Sequence, residues 1–153
     1  MRVSILPATW QDALELEVRP EDVQEFYASS GQTPEQVLHN GFARSPEVMA
    51  GRVDGVLVCI FGVCPLGLFS GKWAPWLVAS PAMYQHKREF IQYCKPVLDA
   101  MLARYHPLQN WVDARNTAAI RWLRWLGFTI HDPEPFGYQG LPFHKFTMEK
   151  SNV

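Results

Sequence analysis

Apolar and polar positions along the chain follow two different periods, and the changes between them predict an order of strands and helices. Alternating or short apolar runs indicate strands, while apolar residues three or four positions apart indicate helices. One strand, several helices, three strands, a long helix, a strand, a helix and two final strands are unlike an all-α or all-β chain. The predicted strands are residues 2–6, 48–53, 56–63, 73–79, 108–114, 128–130 and 143–149.

Capping residues set the limits of the helices. Thr9 is placed to cap a first helix, Pro20 to open a second, and Thr33 to begin a capping box for a third. Pro96 lies inside the long helix and is expected to kink it, because its ring displaces a backbone hydrogen bond. The predicted helices are residues 10–17, 20–31, 34–43, 90–105 and 117–126.

Turn signals connect these elements into one domain. Asp54-Gly55 is the strongest hairpin signal in the sequence. Residues 66–70 are expected to continue the second hairpin strand or to form it again, and residues 131–142, rich in Pro and Gly, are expected to be a loop. No repeat or linker interrupts the order, so residues 1–153 are predicted to be a single domain.

The composition fits a compact protein and excludes several classes of partner. Apolar residues make up 48 % and charged residues 19 %, and the formal net charge is −1, which disfavours binding to nucleic acid or to an anionic membrane. Residues 56–69 are too short and too rich in glycine to span a bilayer, and the first residues lack a secretory signal. Cys59, Cys64 and Cys94 lack metal-site spacing, which favours free thiols in a reducing cytoplasm and no bound metal.

One segment joins a buried strand to a helix that has a well-marked start and end. Asn116 is placed to cap this helix, and Gly127 to end it. The segment resembles the last conserved motif of the GNAT acetyltransferase superfamily, written N-x-x-A, an apolar pair and Gly-Phe. The surrounding sequence, WVDARNTAAIRWLRWLGF with the later GLPFHKFTME, is most similar to GNAT-like proteins of short-tailed phages. The residues that match the motif are Asn116, Ala119, Ile120, Gly127 and Phe128.

The resemblance implies an α+β fold with a mixed central sheet of about six to seven strands, a splayed parallel pair and helices on both faces. Acetyl-CoA would lie between the strands of residues 73–79 and 108–114. The backbone of Leu77, Val78 and Ala79 would bind the pantetheine arm, and the pyrophosphate would lie at the amino end of the long helix.

The sequence departs from the family at two positions. The glycine-rich loop expected before the long helix is absent, and His86, Lys87 and Arg88 either replace it with charged side chains or form a solvated basic first turn. Many GNAT enzymes carry a tyrosine general acid seven residues after the motif's Asn. That position is Leu123, which has no proton to donate.

Other side chains are candidates for the chemistry. Asp113 could take a proton from an amine, or could only pair with Arg115. His86 and Tyr138 are further catalytic candidates, with exposure or packing as their alternatives. Asn116 is expected to contact the cofactor as well as to cap its helix.

A second stripe on the last helix suggests a partner. Ala118, Trp122 and Trp125 lie beside the core-facing residues and are flanked by Arg121 and Arg124. Trp and Arg are enriched at binding hot spots. The two indoles either cover the sheet edge beneath the Pro- and Gly-rich loop or form a homodimer seam or a docking site for a host protein.

Two functions from different classes follow. The first is an acetyl-CoA-dependent N-acyltransferase that acts on an amine, for example a lysine of a host protein in the bacterial cytoplasm. The alternative is a non-catalytic GNAT-fold phage protein that binds a host protein or is an internal component of the virion. The missing glycine loop and tyrosine favour the alternative, and the order of elements favours the enzyme.

Overall fold

The computed structural model describes residues 2–150 and contains a seven-stranded mixed sheet with helices on both faces. The strands are β1 (Val3–Pro7), β2 (Val48–Val53), β3 (Val56–Pro65), β4 (Trp73–Ala79), β5 (Leu108–Asp113), β6 (Thr129–Phe136) and β7 (Leu141–Met148). The helices are α1 (Trp10–Glu15), α2 (Pro20–Ser30), α3 (Pro34–Arg44), α4 (Ala82–Gln85), α5 (Lys87–Arg104) and α6 (Thr117–Leu126). The spatial order of the strands is β1-β2-β3-β4-β5-β7-β6, and only β4 and β5 run parallel.

Local sequence signals account for most element boundaries. Thr9 caps α1 and accepts a hydrogen bond from Asp12 N, and Thr33 caps α3 in a complete capping box. Gly31 and Gly127 end α2 and α6 in the left-handed conformation that glycine adopts without strain. The Asp54-Gly55 turn joins β2 to β3 with positive φ at both residues, as the sequence predicts.

Two predictions about the strands are wrong. Residues 66–70 form bends after the end of β3, so they neither continue nor re-form a strand. The Pro-rich start of the predicted loop belongs to β6, which extends through Pro133 and Pro135 to Phe136. Because β6 is an edge strand, a proline without an N–H costs it little, and the register shift between Ile130 and Pro133 absorbs the irregularity.

The sheet divides the core into two parts. On one face α5 and α6 bury the larger cluster, which includes Phe90, Leu98 and Ile120. On the other face α1 and α3 cover a smaller cluster around Leu38 and Ile60. The helix α5 continues through Pro96 to Arg104. No helix within residues 2–150 is long and apolar enough to cross a membrane.

Candidate functional site

The parallel strands β4 and β5 are joined at one end only. Their single paired position is Trp73 with Leu108, and the N–H of Trp73 donates to the Pro107 carbonyl at 2.9 Å. Beyond this pair the strands continue without further pairing to Ala79 and Asp113. The central sheet therefore contains an open wedge.

Two residues explain why the strands separate where they do. Pro75 has no N–H to donate across to β5, so the parallel ladder cannot continue through it. Asn110 then inserts its side-chain amide: Nδ2 donates to the Pro75 carbonyl at 2.7 Å, and Oδ1 accepts from Trp111 N at 2.8 Å. The amide stands where a direct bond between strands would otherwise form.

The edge of β4 that faces the wedge offers free backbone groups. Ser80 N donates to the Val58 carbonyl at 2.9 Å, and strand residues turn their backbone groups alternately to either side. Val78 therefore bonds towards β3, whereas Leu77 and Ala79 face the wedge. The N–H and C=O of the half-buried Leu77 have no partner within the described residues, so they are available to a ligand in the cavity.

The helix α2 crosses the wide end of the wedge and binds both strands. At β4, Arg19 N donates to the Ala79 carbonyl and Ala79 N donates to Asp22 Oδ2, each at 2.9 Å. At β5, Asp113 N donates to Glu25 Oε1 at 2.9 Å. Asp22 and Glu25, three residues apart on one helix face, each bind the end of one strand.

Glu25 is the most perturbed carboxyl group of the site. Burial raises its pKa to about 7, and the neighbouring charges of Asp22 and Asp113 act in the same direction. The hydrogen bonds from Asp113 N and from Asn116 Nδ2, the latter at 3.3 Å, oppose the shift. Glu25 is therefore poised to exchange a proton near neutral pH.

A cavity of about 470 Å³ occupies the wedge and the space between α5 and α6. This volume is typical of small-molecule sites. Its walls are mostly apolar, and most of the polar residues lie near the wide end of the wedge, whereas Asn110 lies near its closed end. The aromatic walls include Phe61, Phe90, Trp111, Trp122, Phe128 and Phe146, and the polar residues include Asp22, Glu25, Lys87, Asn110 and Asn116.

The predicted cofactor-binding residues are only partly brought together. Leu77, Ala79, Lys87 and Asn116 line the cavity, whereas Val78 and Arg88 do not. Ala79 has both backbone groups bound to α2.

Asn116 is both a helix cap and a part of the site. Its Oδ1 accepts a hydrogen bond from Ala119 N at 3.4 Å, its Nδ2 reaches Glu25, and the residue is buried. The side chain therefore links the start of α6 to the carboxylate of α2.

The short helix α4 takes the place of the missing glycine loop. His86 N bonds back to the carbonyls of Ala82 and Met83, and the first bond of α5 runs from Phe90 N to His86 O. The amides of the first turn of α5 precede this ladder, as at every helix start. Lys87 lies in that turn and lines the cavity.

The three predicted catalytic residues lie outside the cavity wall. Asp113 is 2 % exposed and its carboxylate is bound by Arg115, at 2.7 Å from the guanidinium and 2.9 Å from the backbone amide. Burial alone would raise the pKa of Asp113, but the bonds and charge of Arg115 lower it below its ordinary value. Tyr138 packs against Tyr27 with 5.7 Å between ring centroids, and His86 is half-buried beside α5.

The tryptophan stripe belongs to the cavity. Trp122 and Trp125 line it opposite α5. Lys95 of α5 places its Nζ 4.3 Å from the centre of a Trp125 ring, a cation–π contact across the gap.

Asp22 and Glu25 are the site residues that the sequence did not reveal. In the sequence, Asp22 is only an acidic residue in the first turn of a helix, where its charge interacts favourably with the helix dipole. Its bond to Ala79 spans 57 positions, and that of Glu25 to Asp113 spans 88. No local pattern signals such contacts. Within residues 2–150, no group of three or more His, Cys, Asp or Glu side chains is arranged to hold a metal.

Comparison with known proteins finds similarity at the level of the fold. No family model matches the sequence, and a search of curated proteins finds no match. Solved structures do match over almost the whole chain. A GNAT-family acetyltransferase from Bacillus anthracis has a TM-score of 0.69 and 12 % identity, over 97 % of this chain and 95 % of its own.

Two further solved structures match to a similar extent. The protein yncA of Salmonella typhimurium, solved with its cofactor acetyl-CoA, has a TM-score of 0.68 and 18 % identity, over 99 % of this chain and 95 % of its own. The ribosomal-protein-alanine N-acetyltransferase of Brucella melitensis has a TM-score of 0.66 and 15 % identity, over 96 % and 99 %. At these identities the likeness defines the fold.

Proposed function

We propose that this protein is an N-acetyltransferase that uses acetyl-CoA as its acyl donor. The observation that carries the proposal is the open wedge, because it leaves the N–H and C=O of Leu77 facing a cavity without a protein partner. The pantetheine arm of coenzyme A contains amide groups of the complementary kind. A ligand amide bound there would complete the edge of β4.

The residues around the wedge fit the other parts of this ligand. The apolar walls between α5 and α6 suit the alkyl segments of the arm. The free amides of the first turn of α5, together with Lys87, suit the phosphates. When bound, the ligand supplies an acyl thioester, and the protein's part is to position the thioester and to manage the protons.

A direct titration tests the proposal. Isothermal calorimetry of the wild-type protein with acetyl-CoA should give saturable heat. The variant Ala118→Trp, which places an indole in the cavity wall, should bind at least about tenfold more weakly, a loss that corresponds to roughly 1.4 kcal/mol.

The matched control is Ala100→Trp. Ala100 is exposed on α5 and lies outside the cavity wall, so this variant should bind acetyl-CoA as the wild type does. Absence of heat and of any thermal shift with the wild type at millimolar acetyl-CoA would refute the proposal.

A second candidate is a GNAT-fold protein that binds without catalysis. It is favoured by Leu123, which is buried where many GNAT enzymes carry a tyrosine, and by α4 in place of the glycine loop. A protein that binds acetyl-CoA but releases no coenzyme A with any amine would support this candidate. The resemblance to phage proteins supports a place of action in the cytoplasm of a bacterial host or in the virion. For the enzyme, the target could then be a lysine of a host protein; for the non-catalytic candidate, the protein would bind a host protein.

A further inference from the structure

The helix α2 closes the wide end of the wedge and is held in place along its whole length. Arg19 and Asp22 tie its start to Ala79, and Glu25 ties its middle to the end of β5. Residues of α2 line the cavity, so the space beneath α2 is part of it, and the carboxylates of Asp22 and Glu25 border this space. We call this space, lined by Asp22, Glu25, Phe26, Trp76 and Trp111, the acceptor chamber.

The two carboxyl oxygens of Glu25 are in different situations. Oε1 accepts from Asp113 N at 2.9 Å and from Asn116 Nδ2 at 3.3 Å, which fixes the orientation of the group. Oε2 has no hydrogen-bond partner within the described residues. It is not among the unpartnered side-chain atoms that are shielded from solvent, so it remains accessible. Because Glu25 lines the cavity, this oxygen is available to a ligand.

The tip of the last hairpin is hydrogen-bonded to the end of α2. Tyr138 N donates to the Ser29 carbonyl at 3.0 Å, and Gln139 N donates to the Ala28 carbonyl at 3.1 Å, so the β6–β7 turn is bonded to the end of α2. A Cβ at Gly137 would lie 2.6 Å from the Ser29 carbonyl oxygen, so the two segments touch. No extended peptide can lie between α2 and this hairpin while they are bonded together.

The inner wall of the chamber is aromatic. Trp111 stacks on Phe136 with ring centroids 4.1 Å apart, and Phe26 and Trp76 lie on the same cavity wall. Such a wall suits the carbon skeleton of a small ligand, and an aromatic face next to a carboxylate attracts a nitrogen that carries positive charge.

We propose that Glu25 is the general base for the acceptor, and that the acceptor is a small amine that enters beneath α2. This proposal rests on the acetyltransferase function proposed above. The neutral amine nitrogen attacks the thioester carbonyl carbon, a C–N bond forms and the C–S bond breaks. Glu25 Oε2 takes the amine proton, the sulfur leaves as a thiolate and is protonated from water, and Glu25 returns its proton to water. An amide and a thiol result.

The charges that face Glu25 support this role. Asp22 lies on the same helix and is paired with Arg19, while Asp113 and Arg115 form an ion pair at the end of β5. Since these acids are already paired with arginines, Glu25 is the member of the cluster free to accept a proton. With its pKa at about 7, a substantial fraction is ionised at neutral pH.

The test uses Glu25→Gln, with Glu35→Gln as a matched control on the exposed side of α3. Three readouts are needed: acetyl-CoA affinity by calorimetry, carboxyl ionisation by infrared difference spectroscopy against the Gln variant, and coenzyme A release. The acceptors are spermidine, tyramine and a lysine-containing peptide.

The expected results separate this inference from the proposed function. Wild type should release coenzyme A with at least one small amine and far less with the peptide, and its kcat/KM should rise with pH through about 7. Glu25→Gln should keep the affinity for acetyl-CoA but lose about 10²–10⁴-fold in rate. Glu25→Asp should recover part of the rate, and Glu35→Gln should match the wild type.

Several outcomes would overturn the inference. A Glu25 carboxyl that titrates near the ordinary value of 4.5 would do so without any assay of activity. Unchanged rates in Glu25→Gln, no transfer to either small amine despite acetyl-CoA binding, or a peptide acetylated as fast as the amines would do so as well. Failure of the wild type to bind acetyl-CoA would refute the proposed function instead.

Discussion

At the scale of single residues, the raised pKa of Glu25 suits a general base but lowers the stability of the folded protein. Its pKa is raised to about 7 from 4.5, so between these values the folded protein holds a proton that the unfolded chain has lost. The folded state then binds more protons than the unfolded state, and the free energy of unfolding falls as pH rises through this window.

This cost predicts the behaviour of Glu25→Gln. The free energy of unfolding of the variant should exceed that of the wild type above pH 7, by up to about 3 kcal/mol. The difference should shrink towards pH 4.5. Urea denaturation at several pH values measures it, and a variant whose pH profile matches the wild type would contradict the raised pKa of Glu25.

Asn110 is the second residue whose role can be measured alone. Replacing it by alanine leaves the Pro75 carbonyl and the Trp111 N–H without their partner. Each unsatisfied group costs about 1–3 kcal/mol, so Asn110→Ala, which affects two groups, should lower the free energy of unfolding by roughly 2 kcal/mol or more.

The matched control for this prediction is Asn40→Ala on the exposed face of α3. Acetyl-CoA should also bind more weakly to Asn110→Ala, because the wedge loses the amide that separates its strands. Equal denaturation midpoints for the two alanine variants would mean that Asn110 does not hold the strands apart.

At the scale of elements, the hairpin of β6 and β7 should be sensitive to a single methyl group. Gly137 has φ +79° and would place a Cβ 2.6 Å from the Ser29 carbonyl oxygen, so Gly137→Ala should detach the turn from α2. Gly140 has φ +65° with nothing within 4 Å, so Gly140→Ala carries only the conformational strain, about 1 kcal/mol.

The comparison of these two variants isolates the docking of the hairpin. Gly137→Ala should melt at a lower temperature than Gly140→Ala, and the amide of Gln139 should exchange faster in it. If the two alanine variants have the same melting temperature, the hairpin is not held by α2.

The elements also show where sequence reasoning works and where it fails. Capped helices and the Asp54-Gly55 hairpin are local features, and the sequence predicts them well. The sequence predicts the start of β6 but not its extension through Pro133 and Pro135, because prolines are tolerated in a strand only at the edge of a sheet, and an edge position cannot be inferred from local sequence.

The candidate site was predicted less well than the fold, for a physical reason. The sequence indicates Asn116 because its role as a helix cap depends on the residues next to it. Glu25 was missed because its partners Asp113 and Asn116 lie 88 and 91 positions away. The proposed functional carboxylate is thus defined by tertiary contacts, while Asp113, the acid that the sequence suggests, is bound by Arg115.

At the scale of the whole molecule, the sheet, the two helix layers and α2 surround one opening. The separation of β4 from β5 creates the wedge, α5 and α6 border its apolar side, and α2 closes its acidic side. In the proposed reaction, the thioester and the amine reach the same gap from opposite faces. The account therefore depends on the free edge of β4.

Amide hydrogen exchange at Leu77, measured by NMR with and without acetyl-CoA, tests this claim most directly. The account predicts that Leu77 exchanges much faster than Val78 in the free protein and is slowed at least about tenfold by saturating acetyl-CoA, since its N–H then gains a partner. A Leu77 amide that is as protected as Val78 without ligand, or that acetyl-CoA leaves unchanged, would contradict it.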